Sequence, residues 1–119
     1  MKKTLVLGAS PNPSRYSNMA VHLLRKKGHP VIAIGLRQGI ISDVTIEKGQ
    51  PIHKNIDTLT LYLGPKNQVA QYEYILSLKP KRIIFNPGTE NEELMNLAED
   101  AGIETEYACT LVLLRLGSY

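Results

Sequence analysis

The chain has no tryptophan, one phenylalanine and one cysteine. Cys109 alone cannot form an intrachain disulfide, which excludes a disulfide-stapled secreted scaffold and makes a reducing cytoplasm the expected location. Long apolar runs are also missing, so no transmembrane segment is expected. Met1-Lys2-Lys3 is followed by apolar residues, but that run ends at Gly8, too soon for the core of a signal peptide. Basic runs are scarce. The nearest is Arg25-Lys26-Lys27, at a predicted helix end where cations suit the dipole. Without a stripe of Lys and Arg interleaved with aromatics, a nucleic-acid partner is not expected. The net charge of +3 over 119 residues is mild and compatible with a small anionic ligand. Internal repeats, low-complexity segments and linkers are absent, so residues 1–119 read as a single domain.

What is present begins at Thr4–Asn18, TLVLGASPNPSRYSN. Leu5, Val6 and Leu7 form a short apolar run before Gly8, the pattern of a strand buried on both faces of a parallel sheet. The loop Gly8-Ala9-Ser10-Pro11-Asn12-Pro13 leads into a helix. Amides of such a turn and of the first helical turn lack partners, and the dipole favours an anion there. Ala9 and Ser10 keep the wall low, and Ser10, Ser14 and Ser17 can add hydroxyl hydrogen bonds. Two of the three glycines of the dinucleotide fingerprint are replaced, so the loop alone fits a phosphate cradle or an ordinary strand-to-helix turn.

Ser14 or Ser17 can cap the helix, which runs to about Lys27 with Met19, Ala20, Leu23 and Leu24 on one face. Gly28 stops it. His22 has no companion at metal-ligand spacing. Val31 to Ile34 is the second strand. In an NAD-binding domain a carboxylate follows it to bind the ribose; here the residues are Gly35-Leu36-Arg37-Gln38-Gly39. Arg37 could fork onto a ribose phosphate, which fits NADP or coenzyme A, or it could be a solvated loop residue. Ile41 to Ile46 reads as an irregular or short strand. His53 and Asp57 lie close in sequence, but no nucleophile accompanies them.

Thr58 to Leu63 is the third core strand, and Pro65 opens a helix to about Leu78 with Val69, Tyr72, Ile75, Leu76 and Leu78 inward. Arg82 to Phe85 is the fourth strand. Thr89 or Asn91 caps a helix that starts with Glu90, Glu92 and Glu93 and buries Leu94, Leu97, Ala98 and Ala101. Ile103 to Tyr107 is a weak fifth strand. The tail Cys109 to Leu116 fits a strand or a short helix, completing the core or meeting a second subunit in a homodimer. The alternation predicts an α/β, Rossmann-like three-layer domain with a mostly parallel sheet of about five strands, and ligand-facing strand ends at Gly8–Ser10, Gly35–Arg37, Tyr62–Gly64 and Asn86–Gly88.

The block VLGASPNPSRYSNMAVHLLRKKGHPVIAIG, the Gly64-Pro65 step, FNPGTENEELMNLAEDAGIE and Ala108-Cys109 together resemble the small stand-alone CoA-binding proteins. Their fold is that of the amino-terminal domain of the succinyl-CoA synthetase α subunit. The resemblance implies that Gly8, Ala9, Ser10, Ser17 and Asn18 cradle the pyrophosphate of coenzyme A, with Pro11, Asn12 and Tyr16 in the same contact loop. It places Arg37, flanked by Gly35 and Leu36, near the ADP portion. Tyr62, Gly64, Pro65, Asn86 and Gly88 would line the pantetheine path. The chain departs from the family's V-N-P-type turn after the second strand, with Ile34-Gly35-Leu36-Arg37 instead. The synthetase's catalytic histidine belongs to a separate domain, so the resemblance implies CoA binding without ligase chemistry; from the spacing of the histidines, no metal site is expected. A small NADP-dependent oxidoreductase module and an interaction domain are the alternatives. Cys109 is either a buried structural thiol or one able to form a mixed disulfide with the cofactor.

Overall fold

The run Thr4–Leu7 forms the central strand, β1, with all four residues buried, in a computed structural model that describes residues 1–119. Helix α1 (Tyr16–Lys26) returns the chain to β2 (Val31–Ile34). A hairpin of β3 (Ile40–Ile41) and β4 (Val44–Glu47) follows, then β5 (Thr58–Leu61). Helix α2 (Pro65–Gln68), a 3-10 turn (Val69–Gln71) and α3 (Tyr72–Ser77) lead to β6 (Arg82–Phe85). The chain ends with α4 (Glu92–Asp100), β7 (Glu104–Tyr107) and α5 (Thr110–Leu116).

The sheet order is β3-β4-β2-β1-β5-β6-β7. Every pairing is parallel except β3 with β4. This is a three-layer, Rossmann-like α/β fold. Strand alternation sends Leu5, Leu7, Leu59, Leu61, Ile83 and Phe85 into one core layer, under Ile75 of α3 and Leu94 and Ala98 of α4. Val6, Ala33 and Ile46 enter the other layer, under Val21 and Leu24 of α1 and Leu114 of α5. Each fully buried Leu or Ile contributes about 1.5–3 kcal/mol. β2 lies on one side of β1 and β5 on the other, so the strand order reverses at β1 and opens a crevice above its carboxyl end.

The sheet has seven strands rather than about five. The added pair is the β3–β4 hairpin over Ile40–Glu47, in place of the single irregular or short strand expected at Ile41–Ile46, and it turns at Ser42, which has φ 58. A two-residue strand is too short to show a period, and a Ser-Asp turn carries little hairpin signal.

Other local expectations shift as well. Helix α1 starts after Arg15 with no side-chain cap. Ser14 bonds back to Asn12 instead, and Ser17 lies inside the first turn. The inward face is Ala20, Val21 and Leu24, and Met19 is exposed. The predicted helix after Pro65 is broken by the 3-10 turn, leaving Val69 exposed. Buried Gln68 explains the break: its Nε2 donates to the Leu63 and Thr89 carbonyls, both at 2.8 Å, and pins α2 to the strand ends. Asn91, not Thr89, caps α4 by accepting from the Leu94 amide. Leu97 and Ala101 face outward. The tail is helical, burying Thr110, Leu111 and Leu114. No helix is long and apolar enough to cross a membrane.

At the amino-terminal edge of the sheet, His29 Nδ1 accepts from the Lys2 amide at 3.1 Å. Its ring packs edge-on against Tyr119, with centroids 5.0 Å apart. Burial first, and then the positive charges of the amino terminus and Lys2, hold the imidazole below its ordinary pKa. A group whose folded pKa is depressed by resistance to protonation binds more protons when unfolded. Its contribution is therefore complete above the ordinary value near 6.5 and is lost as pH falls through it. Urea denaturation between pH 8 and 5 should show stability declining below about pH 6.5. His29→Gln should flatten that decline; an unchanged slope would place the responsible proton elsewhere.

Candidate functional site

Above the switch point lies a groove of about 610 Å³. Its floor is made of strand ends packed unusually close together. The Gly8 and Ala9 amides both donate to the Ile34 carbonyl at 2.9 Å. The Tyr62 amide donates to the Leu7 carbonyl at 2.8 Å. Gly8 has φ 98, and a Cβ there would meet the Tyr62 carbonyl carbon at 2.9 Å. A Cβ on Gly35 would lie 2.1 Å from the Ala9 carbonyl oxygen. The ends of β1, β2 and β5 thus interlock through two positions where no side chain fits.

Those bonds change which amides are free. The Gly8 and Ala9 amides are taken, against the expectation of a bare turn. The Asn12 amide reaches Ser10 Oγ at 3.1 Å, and the Ser14 amide reaches Asn12 Oδ1 at 3.0 Å. The amides of Ser10, Tyr16 and Ser17 have no intrachain partner. Two of them belong to the first turn of α1, where N–H groups point out along the helix axis. Arg15 and Arg37 line the same groove and neither joins an ion pair. No carboxylate lines it. Tyr16 and Leu36, 70% and 91% exposed, present apolar surface beside the two arginines.

Gly8, Ala9, Ser10, Pro11, Tyr16, Ser17, Gly35, Leu36, Arg37, Tyr62, Gly64 and Gly88 are brought together around the groove. Four other sequence candidates are not among its lining residues. Asn12 is exposed in the turn that binds Ser14. Pro65 is exposed at the start of α2. Asn18 is buried, and its Nδ2 donates to the Ser10 carbonyl at 2.9 Å, which fixes the loop. Asn86 is buried too. Its Nδ2 donates to Thr60 Oγ1 at 2.7 Å and to the Leu61 carbonyl at 2.9 Å, while its Oδ1 accepts from the Thr110 amide at 2.9 Å. Asn86 therefore joins β5, β6 and α5 beneath the site.

Tyr62 lines the groove, yet its hydroxyl is buried without a hydrogen-bond partner, and burial raises its pKa far above the usual tyrosine value. His53 bonds to Glu47 at 3.0 Å rather than to Asp57. Cys109 is half-buried at the cap of α5 and does not line the groove. No group of three His, Cys, Asp or Glu side chains is placed to hold a metal ion.

Sequence reasoning missed Arg15, Gln50, Gln71 and Thr89, which also line the groove. Arg15 carried a usable signal, a cation directly before a helix start in a small-residue loop. Gln50 and Gln71 carried none, because long-range crossing of the chain brings them there.

Fold and groove define a class: a Rossmann-like α/β domain with a cationic groove at the point where its strand order reverses. Within that class, the chain belongs to the CoA binding domain family, whose model matches residues 2–115. A crystal structure of an uncharacterized protein is 50% identical, with a TM-score of 0.97 over 100% of this chain and 98% of that one. A conserved hypothetical protein from Pyrococcus furiosus is 26% identical, with a TM-score of 0.80 over 94% of this chain and 98% of its own. The Thermus thermophilus protein "cell-free ID.343" is 20% identical and shares the fold, with a TM-score of 0.86 over 99% of this chain and 90% of that one. A search among curated proteins finds no match.

The interlock at Gly35 is directly testable. Gly35→Ala should lower stability in urea by about 1–3 kcal/mol, the usual cost of overpacking. Gly64→Ala, where a Cβ meets nothing within 4 Å, should cost far less. Equal effects would mean that the Ala9 contact yields without strain.

Proposed function

We propose that this chain binds coenzyme A or an acyl-CoA in the groove, without ligase chemistry of its own. The observation that carries the reading is the set of free amides at Ser10, Tyr16 and Ser17 beside two unpaired arginines in a groove without carboxylates. A diphosphate suits that arrangement. The helix terminus and the amides supply oriented donors, and Arg15 supplies charge. Gly8, Ala9, Pro11 and Ser17 form the wall around it, held in shape by Asn12 and Asn18.

Arg37 is the residue we assign to the 3′-phosphate of the ribose, next to Gly35. An adenine ring would lie on the apolar surfaces of Leu36 and Tyr16. The pantetheine arm would pass Tyr62, Gly64 and Gly88, where the wall is low, with Pro65 and Asn86 supporting it from outside the groove. A lone thiol fits work in a reducing cytoplasm. NADP is the second reading, because Arg37 could equally fork onto a 2′-phosphate. Family membership favours coenzyme A.

Isothermal titration separates these readings. Coenzyme A should bind roughly tenfold or more tightly than dephospho-CoA, the scale of one charge-assisted contact. Arg37→Met should erase that difference and leave dephospho-CoA binding unchanged. Equal affinity of the two ligands for the unaltered protein would remove Arg37 from the phosphate role. Binding of NADPH with no response to coenzyme A would transfer the groove to the second reading.

A further inference from the structure

One rim of the groove is tied rather than packed. The chain leaves β4 at Glu47 and runs through Lys48, Gly49 and Gln50 with no regular structure. Facing it is Gln71, the last residue of the 3-10 turn between α2 and α3. Gln50 Nε2 donates to Gln71 Oε1 at 3.1 Å and to the Ala70 carbonyl at 3.4 Å. Both glutamines line the groove, and these bonds are exposed.

The span is firmly held only on either side of this contact. On one side, the hydroxyl of buried Tyr74 donates to the Pro51 carbonyl at 2.7 Å. On the other, β4 is held to its end, where the Gly35 amide donates to the Glu47 carbonyl at 3.0 Å and Glu47 Oε1 bonds His53 Nε2 at 3.0 Å. Between those anchors, Gly49 has φ 77, and its missing side chain lets the backbone rotate there without a Cβ clash. The facing helix is interrupted at the contact itself, and a 3-10 stretch between helical segments often marks a hinge. An exposed bond between neutral amides is weak enough to open often.

We infer that Lys48–Gln50 is a latch on the groove, with the Gln50–Gln71 hydrogen bond as its closing contact. When the bond breaks, the tip swings on Gly49 and the rim opens. The latch geometry stands independently; that the molecule admitted is coenzyme A rests on the reading above. A latch closing equally over filled and empty grooves sets how fast a ligand enters and leaves, with little effect on how tightly it is held.

Two measurements on the full chain test this. Lys48 is exposed and is a trypsin site within the tip. In ligand-free protein, Gln71→Ala, which alters nothing in the tip's own sequence, should speed cleavage after Lys48 roughly two- to tenfold. In stopped-flow experiments with coenzyme A, Gln50→Ala and Gln71→Ala should each raise association and dissociation rates by similar factors. The double variant should do no more than Gln50→Ala alone, which already removes the bonds to both Gln71 and Ala70. Unchanged cleavage at Lys48 would overturn the latch. A rise in dissociation alone would also overturn it, by making the glutamines ligand contacts. If coenzyme A fails to bind the unaltered protein, the functional reading falls and the cleavage rates decide the latch by themselves.

Discussion

One carbonyl oxygen holds the site together. Ile34, the last residue of β2, accepts from the amides of both Gly8 and Ala9, the first residues beyond β1. That shared acceptor draws the β1 loop down onto the end of β2, so close that Gly35 has no room for a side chain against Ala9. The loop can then run outward from a fixed origin, and Asn18 ties its Ser10 carbonyl from the helix side. The free donors of Ser10, Tyr16 and Ser17 result from this arrangement. Two amides of the turn are spent on rigidity, and the next ones along the chain are left to face a ligand. Preorganised donors of this kind need no reordering when an anion arrives.

The electrostatics follow from the same economy of contacts. Outside the groove two arginines find carboxylates: Arg25 bonds Asp43 at 2.8 Å, and Arg82 reaches Glu106 at 3.4 Å. In the groove, Arg15 and Arg37 have none and no carboxylate competes for them. Two unpaired guanidinium groups beside an exposed tyrosine and leucine fit a ligand with separated phosphates and a flat apolar ring. Family membership and chemistry thus point the same way, by independent routes.

Much of this was legible in the residues. The strands Thr4–Leu7, Val31–Ile34 and Arg82–Phe85 show as apolar runs between breakers, because strands buried on both faces need no alternation. The switch-point loops follow from strand order, and Arg37 stood out as the wrong residue for an NAD site. What stayed hidden depends on tertiary contacts. The β3–β4 hairpin is too short for periodicity. The break after Gln68 comes from a buried amide reaching two carbonyls far off in the chain. The use of the Gly8 and Ala9 amides by Ile34 depends on register between strands, which no local pattern encodes. The rim built by Gln50 and Gln71 joins segments with no shared signal.

The central claim is that a diphosphate meets the amides of Ser10, Tyr16 and Ser17. Amide chemical shifts of the 15N-labelled protein, followed as coenzyme A is added, test it most directly. The account predicts the largest changes at those three residues, with Gly8 and Ala9 moving less because Ile34 already holds their protons. Saturable binding with Ser10, Tyr16 and Ser17 unmoved, and the large changes on another face of the sheet, would contradict it.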